Sequence, residues 1–300
     1  MIYLDEDSVR ARLRWDELID AMESALADFS RGAVLQPVRT VLTIEERRRY
    51  LGVMPAVVGD VMGVKFVTFY PVNAGTGRHT HNATIVLHRT ATGLPLAVMD
   101  GRVITEMRTA AVSAAITRRL APKDCGVLAL LGSGVQARAH LEALSAVRKF
   151  SEVRVWSRTA AHAQRFAREH GATAADSAES AVRGADVVVT ATAAREPILE
   201  GAWLKPGAHV NAVGSSRPDW RELDDAAMAN VVLVDSREAA AVEAGDVMIA
   251  EAPIYAEIGE IFAGVKPSPQ PSATTVFKSV GLAVEDVAAA RLVAEAERER

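Results

Sequence analysis

The chain has 300 residues, 49% of them apolar and 24% charged, which is enough for two cores sharing one boundary. A formal net charge of −4 leaves no broad basic field to hold a phosphate backbone, so nucleic acid is set aside as a partner. The acidic start Met1-Ile2-Tyr3-Leu4-Asp5-Glu6-Asp7 lacks a secretion signal's basic and apolar regions, and no apolar run approaches the roughly 20 residues that span a bilayer. The single cysteine, Cys125, opens an apolar run and reads as a buried thiol; a soluble protein in a reducing cytoplasm is therefore expected.

From the N-terminus, Leu18, Ile19, Met22, Ala25, Leu26 and Phe29 recur at three- and four-residue spacing, which predicts an amphipathic helix over 16–30, ended by Arg31-Gly32. Strands are expected over 38–44, 50–55, 63–70, 83–88 and 95–99. The first part thus reads as a helix over a mostly antiparallel sheet. A helix with small packing residues follows over 104–120 and stops at Ala121-Pro122. Beyond it, strands at 127–131, 152–156, 186–192, 209–213 and 231–234, with helices at 136–147 and 160–170, imply a parallel, doubly wound sheet. A last helix over 281–297 can return to the first domain, with its 295–300 end solvated. The fold class is α/β: a Rossmann dinucleotide-binding domain over 119–279, and an α+β substrate and dimerisation domain over 1–118 with the C-terminal helix 280–300.

Gly132-Ser133-Gly134-Val135-Gln136-Ala137 directly follows an apolar strand and opens a helix, the context that gives a Gly-x-Gly-x-x-Ala pattern its meaning. Gly132 permits the turn, Gly134 lets backbone approach a pyrophosphate, Ala137 lets helix and strand pack closely, and free N–H groups at the helix start face the anion. At the end of the second strand, about 25 residues after Gly132, stands Ser157 rather than the acid that binds a ribose 2'-hydroxyl in NAD enzymes. Arg158 can clamp a 2'-phosphate, with Ser157 and Thr159 donating beside it, so NADP(H) is the expected cofactor, with NAD(H) use left open.

Three cations in the first domain, Arg39, Lys65 and Arg108, sit inside apolar or strand-like segments, where an unpaired charge is costly. Lys65 alternates with Val64 and Phe66 and points to the face opposite theirs. On a face that lines a cleft it could hold a carboxylate or move a proton; Arg108 could pair with a carboxylate or a phosphate. His79-x-His81 lacks a third ligand at convincing spacing, so no metal is expected. Glu45-Glu46-Arg47-Arg48-Arg49 reads as a solvated turn.

Across nearly its full length the sequence resembles the ornithine cyclodeaminase and mu-crystallin family, and within it the ketimine reductases. The carriers are Gln36-Pro37-Val38-Arg39-Thr40, Tyr50 to Ala56, Leu96 to Gly101, Arg108 to Ser113, Asn211-Ala212-Val213-Gly214, Arg217 to Asp224 and Thr275 to Ser279. The resemblance implies that Arg39, Lys65, Arg108 and Glu257 serve the substrate. It further implies cofactor contacts from Thr80, His81, Val135, Gln136, Ser157, Arg158, Thr159, Thr192, Val213 and Ser279. The activity it implies is NAD(P)H-dependent reduction of cyclic imine carboxylates by a homodimer whose first-domain sheets join. An alanine or N-alkyl amino acid dehydrogenase, a cyclodeaminase and an NADP(H)-dependent ligand-binding protein are the alternatives. Cyclodeaminases carry an aspartate where this chain has Ser216, whose hydroxyl can neither supply that charge nor act as a base near neutral pH, which argues against ornithine cyclisation.

Overall fold

A computed structural model describes residues 1–46 and 48–298; Arg47, in the stretch expected to be a charged turn, and Glu299 and Arg300, in the end expected to be solvated, lie outside the described residues. The chain divides into two compact units, Met1–Arg108 with Gly281–Arg300, and Thr109–Val280. The division falls within the helix Gly101–Leu120, ahead of the Ala121-Pro122 stop.

The first unit is built on a seven-stranded sheet: β1 (Ile2–Leu4), β2 (Val34–Leu35), β3 (Thr40–Glu45), β4 (Arg49–Val58), β5 (Val61–Phe69), β6 (His81–Arg89) and β7 (Pro95–Asp100). Their order is β1-β7-β6-β5-β4-β2, with β3 also on β4; only the β1–β7 pair is parallel. The five expected strands are β3 to β7. β1 and β2 were not expected, being two or three residues long and too short for a period to show. In register across the sheet, Met54 on β4 pairs with Lys65 on β5, Lys65 with Ile85 on β6, and Ile85 with Met99 on β7. Paired residues project to the same face, so the lysine lies in a row of buried apolar side chains. That row is covered by helix Ala283–Arg298, which packs on β4 to β7 and against helix Trp15–Ser30.

The second unit holds eight strands, β8 (Val127–Leu131), β9 (Glu152–Trp156), β10 (Thr173–Ala174), β11 (Val187–Thr190), β12 (His209–Ala212), β13 (Val231–Val234), β14 (Ile254–Glu257) and β15 (Thr275–Lys278). All pairs are parallel, in the order β10-β9-β8-β11-β12-β15-β13-β14. The strand order reverses beside β8, the kind of switch point where open parallel sheets bind ligands at their carboxyl ends. β8, β11, β12 and β15 are almost wholly buried, as strands covered on both faces are. β11 ends at Thr190, short of the expected Thr192, because the Thr192 N–H is taken by the Glu222 carboxylate. Helix Gly101–Leu120 ends where Arg148 gathers the carbonyls of Thr117, Arg118 and Ala121. Cys125 is buried, and burial pushes its thiol pKa up. Among the described residues no helix is long and apolar enough to cross a membrane.

Candidate functional site

Arg39, Lys65 and Arg108 meet within the first unit, on the segment that begins helix Ala283–Arg298. Lys65, 1% exposed, puts Nζ 2.6 Å from Asp286 Oδ2 and donates to Thr105 Oγ1 at 3.3 Å. Arg108, 5% exposed, donates from Nε to Asp286 Oδ1 at 3.1 Å and from Nη1 to Glu285 Oε2 at 2.6 Å. Arg39 donates from Nη2 to the Gly281 carbonyl at 2.6 Å. Gly281 has φ +79°, which favours glycine, and a Cβ there would strike the Arg108 guanidinium.

Both carboxylates are fully buried and stand in the first turn of their helix, where the helix dipole favours negative charge. The sequence reading missed them. The available signal is two acids inside the small and apolar run Ala283 to Ala290, where no face of the helix is polar. Burial pulls the Lys65 pKa down to about 8; Asp286 opposes this, and the Arg108 and Arg39 charges add to it. An amine so poised can hold an anion or exchange a proton near neutral pH.

Thr80 and His81 lie at the end of the β5–β6 hairpin. Thr80 accepts from Tyr70 N at 2.7 Å, its Oγ1 lies 3.2 Å from His81 Nδ1, and the imidazole stacks on Phe69 with centroids 4.5 Å apart.

In the second unit Gly132 takes φ +122°, and a Cβ on it would stand 2.6 Å from the Ala191 carbonyl, so only glycine fits this turn. Gly134 is different: it precedes helix Val135–Val147 in an extended conformation, and a Cβ there would meet nothing within 4 Å. Open space over unpaired N–H groups at the start of a 13-residue helix fits a dinucleotide pyrophosphate. Val135 is exposed, Gln136 half-buried with its Oε1 unpartnered, and Ala137 buried. His140, one turn on, is wholly buried; its Nδ1 donates to the Gln136 carbonyl at 2.7 Å and its Nε2 accepts from Ser113 Oγ at 2.9 Å. Burial holds its pKa at about 4, so the ring is neutral and pins the helix start.

Ser157 follows β9 half-buried, and Arg158 and Thr159 are exposed, Thr159 at the N-cap of helix Ala160–His170. Among the described residues Arg158 forms no ion pair. At the ends of β11, β12 and β15, Thr192, Val213 and Ser279 are held by buried acids and backbone. Glu222 accepts from Thr192 N and Oγ1, from Thr190 Oγ1 and from Gly214 N at 2.6–3.0 Å. Val213 N donates to Thr190 O at 2.9 Å, and Ser279 Oγ to Asp235 Oδ2 at 3.1 Å. Lys278 pairs with Asp246 at 2.8 Å, both wholly buried, and donates to the Gly214 carbonyl. Burial raises the Glu222 pKa, and the Lys278 charge works against that rise.

Glu257 belongs to the second unit. It ends β14, caps helix Ile258–Phe262 and accepts from Arg237 N at 2.9 Å. Ser216 is exposed beside Ser215, which has φ +51°.

The chain is 50% identical over 300 residues to the ketimine reductase mu-crystallin of Mus musculus, covering 97% of this chain and 96% of that protein. The structure of Thermococcus litoralis Delta(1)-pyrroline-2-carboxylate reductase in complex with NADH and L-proline superposes with a TM-score of 0.94 at 35% identity, covering 100% and 98% of the two chains. An archaeal alanine dehydrogenase dimer with bound NAD gives 0.93 at 32% identity, covering 100% and 96%. Residues 2–300 match the ornithine cyclodeaminase/mu-crystallin family, and the chain belongs to it.

Proposed function

We propose that the protein is an NAD(P)H-dependent ketimine reductase, an oxidoreductase that converts cyclic imine carboxylates such as pyrroline-2-carboxylate and piperideine-2-carboxylate to the cyclic amino acids. The observation that carries this reading is the convergence of Arg39, Lys65 and Arg108 on Gly281, Glu285 and Asp286, in a chain 50% identical to a ketimine reductase. Arg39 and Arg108 hold the substrate carboxylate, Arg108 with its planar fork. The Lys65 ammonium lies against the imine nitrogen, which is most useful protonated because the adjacent carbon is then most electrophilic. A bound nicotinamide cofactor supplies the hydride. Lys65 gives the nitrogen its proton, and the C=N bond becomes CH–NH.

The cofactor's phosphates are held by Gly132, Gly134, Val135, Gln136 and Ala137, and its remaining contacts come from Thr80, His81, Thr192, Val213 and Ser279. NADP(H) is preferred through Ser157, Arg158 and Thr159; the support is an exposed guanidinium, with no acid, at the end of β9. Glu257, at the end of β14, is the remaining residue assigned to the substrate. The working form is a cytoplasmic homodimer. Exposed Val41, Leu42, Ile44 and Phe66, with a groove of about 420 Å³ lined by Leu35, Pro37, Pro55 and Met62, give the first unit an apolar surface for a second copy.

Steady-state kinetics with both imines against NADPH and NADH test reaction and cofactor together. Turnover of both imines with preference for NADPH is expected. Turnover of pyruvate with ammonia, and of neither imine, would make the protein an alanine dehydrogenase instead.

A further inference from the structure

Asp286 contacts two of the cations assigned to the substrate. It is wholly buried, with one oxygen 2.6 Å from Lys65 Nζ and the other 3.1 Å from Arg108 Nε. Glu285 takes Arg108 Nη1 at 2.6 Å, so the guanidinium is fixed by two adjacent carboxylates. Lys65 is less constrained. Its stem has four rotatable carbons, and its head is placed by Asp286 and by Thr105 Oγ1, which itself donates to the Gly101 carbonyl at 2.8 Å. A shift of Asp286 would therefore move an ammonium and a guanidinium together. Reaction rates respond steeply to such displacement.

We propose that Asp286 is a positioning residue of the imine reduction, fixing the Lys65 ammonium and the Arg108 guanidinium in one geometry through its two carboxylate oxygens. The inference rests on the reading of the site given under Proposed function. Asp286 acts through the cations it holds and touches no reacting atom. The charged and titratable groups around Lys65 are Asp286 and Glu285 from helix Ala283–Arg298, Arg108 from helix Gly101–Leu120, Arg39 ahead of β3, and His81 at the start of β6. Of these, Asp286 is the carboxylate in contact with it. Without that charge, burial and both arginines favour the neutral amine, and the ammonium is lost at lower pH.

The test uses the full chain with NADPH and pyrroline-2-carboxylate, comparing wild type with Asp286→Asn, Lys65→Met, the double variant and Asp286→Glu. In Asp286→Asn the alkaline limb of kcat/KM against pH should move down by about one unit or more. Its kcat should fall about tenfold or more, with NADPH affinity unchanged by fluorescence titration. In the Lys65→Met background the same substitution should cost markedly less, because the group it places is gone. Asp286→Glu keeps the charge one methylene out of place and serves if Asp286→Asn does not fold; kcat should fall while the limb stays. An unmoved limb in Asp286→Asn, equal losses in the two backgrounds, or wild-type kcat in Asp286→Glu would each overturn the proposal. The titration of Lys65 is also followed by NMR of lysine labelled at Cε, assigned with Lys65→Met. A wild type that reduces neither imine defeats the functional reading, while the NMR shift between wild type and Asp286→Asn still decides whether Asp286 sets Lys65.

Discussion

Gly281 and Arg108 are fitted to each other: a Cβ built on Gly281 would lie 2.5 Å from Arg108 Nη1 and 3.0 Å from its Cζ. The glycine is thus required twice, by its φ of +79° and by the guanidinium stacked over it, while its own carbonyl takes Arg39.

Gly281→Ala is therefore expected to cost about 1–2 kcal/mol from the backbone alone, with further loss as Arg108 is pushed off Glu285. Urea denaturation reads the stability and steady-state kinetics the site. KM for the imine should rise more than KM for NADPH, and equal changes in both would separate Gly281 from the substrate cations.

Lys65 is expected to carry activity only as the ammonium. With a pKa brought down to about 8, it is protonated below that pH and neutral above it, so kcat/KM should fall as pH rises through about 8. Lys65→Met removes the proton donor and should cut turnover to a small residual rate while NADPH binding, measured by fluorescence, stays intact. A variant that retains wild-type turnover would remove Lys65 from the reaction.

Gly134 and Gly132 make opposite predictions from the same loop. Gly134→Val meets open space, so the variant should fold with an unchanged melting temperature yet lose the stabilisation that added NADPH gives the wild type, because the side chain occupies the place of the pyrophosphate. Gly132→Val would drive a side chain into the Ala191 carbonyl and should lower the melting temperature without any ligand present.

Arg158→Ala tests cofactor choice. A charge-assisted contact to a 2'-phosphate is worth about 1.5–3 kcal/mol, so KM for NADPH should rise roughly ten- to hundredfold and KM for NADH hardly at all. A wild type that prefers NADH, or an equal effect on both cofactors, would leave Arg158 without that role.

Much of the second unit can be read in the sequence because its strands are apolar runs bounded by turn residues. Val127 to Leu131 and Val231 to Val234 need no context, and Gly132 follows the first directly. Thr275 to Lys278 defeats the same reading: it is a buried central strand, yet four residues ending in lysine carry no period, and the charge makes sense only once Asp246 stands beside it. In the first unit, buried-charge reasoning finds Arg39, Lys65 and Arg108 but not what neutralises them. Glu285 and Asp286 follow Arg108 by 177 and 178 residues; their apolar surroundings mark them as buried, but nothing in the sequence says which cations they meet. Glu222 is likewise invisible as the knot joining Thr190, Thr192 and Gly214, since its partners come together only when β11 and β12 are laid side by side.

The return of the chain to its first unit sets an order on biosynthesis. Thr109–Val280 is one unbroken stretch, whereas the earlier unit needs Gly281 and the helix after it. In chain order all of Thr109–Val280 is therefore made before the segment that closes the sheet face of the first unit. Until Glu285 and Asp286 are made, Lys65 and Arg108 lack the two carboxylates with which they are buried, so the first unit cannot bury those charges in their final pairing.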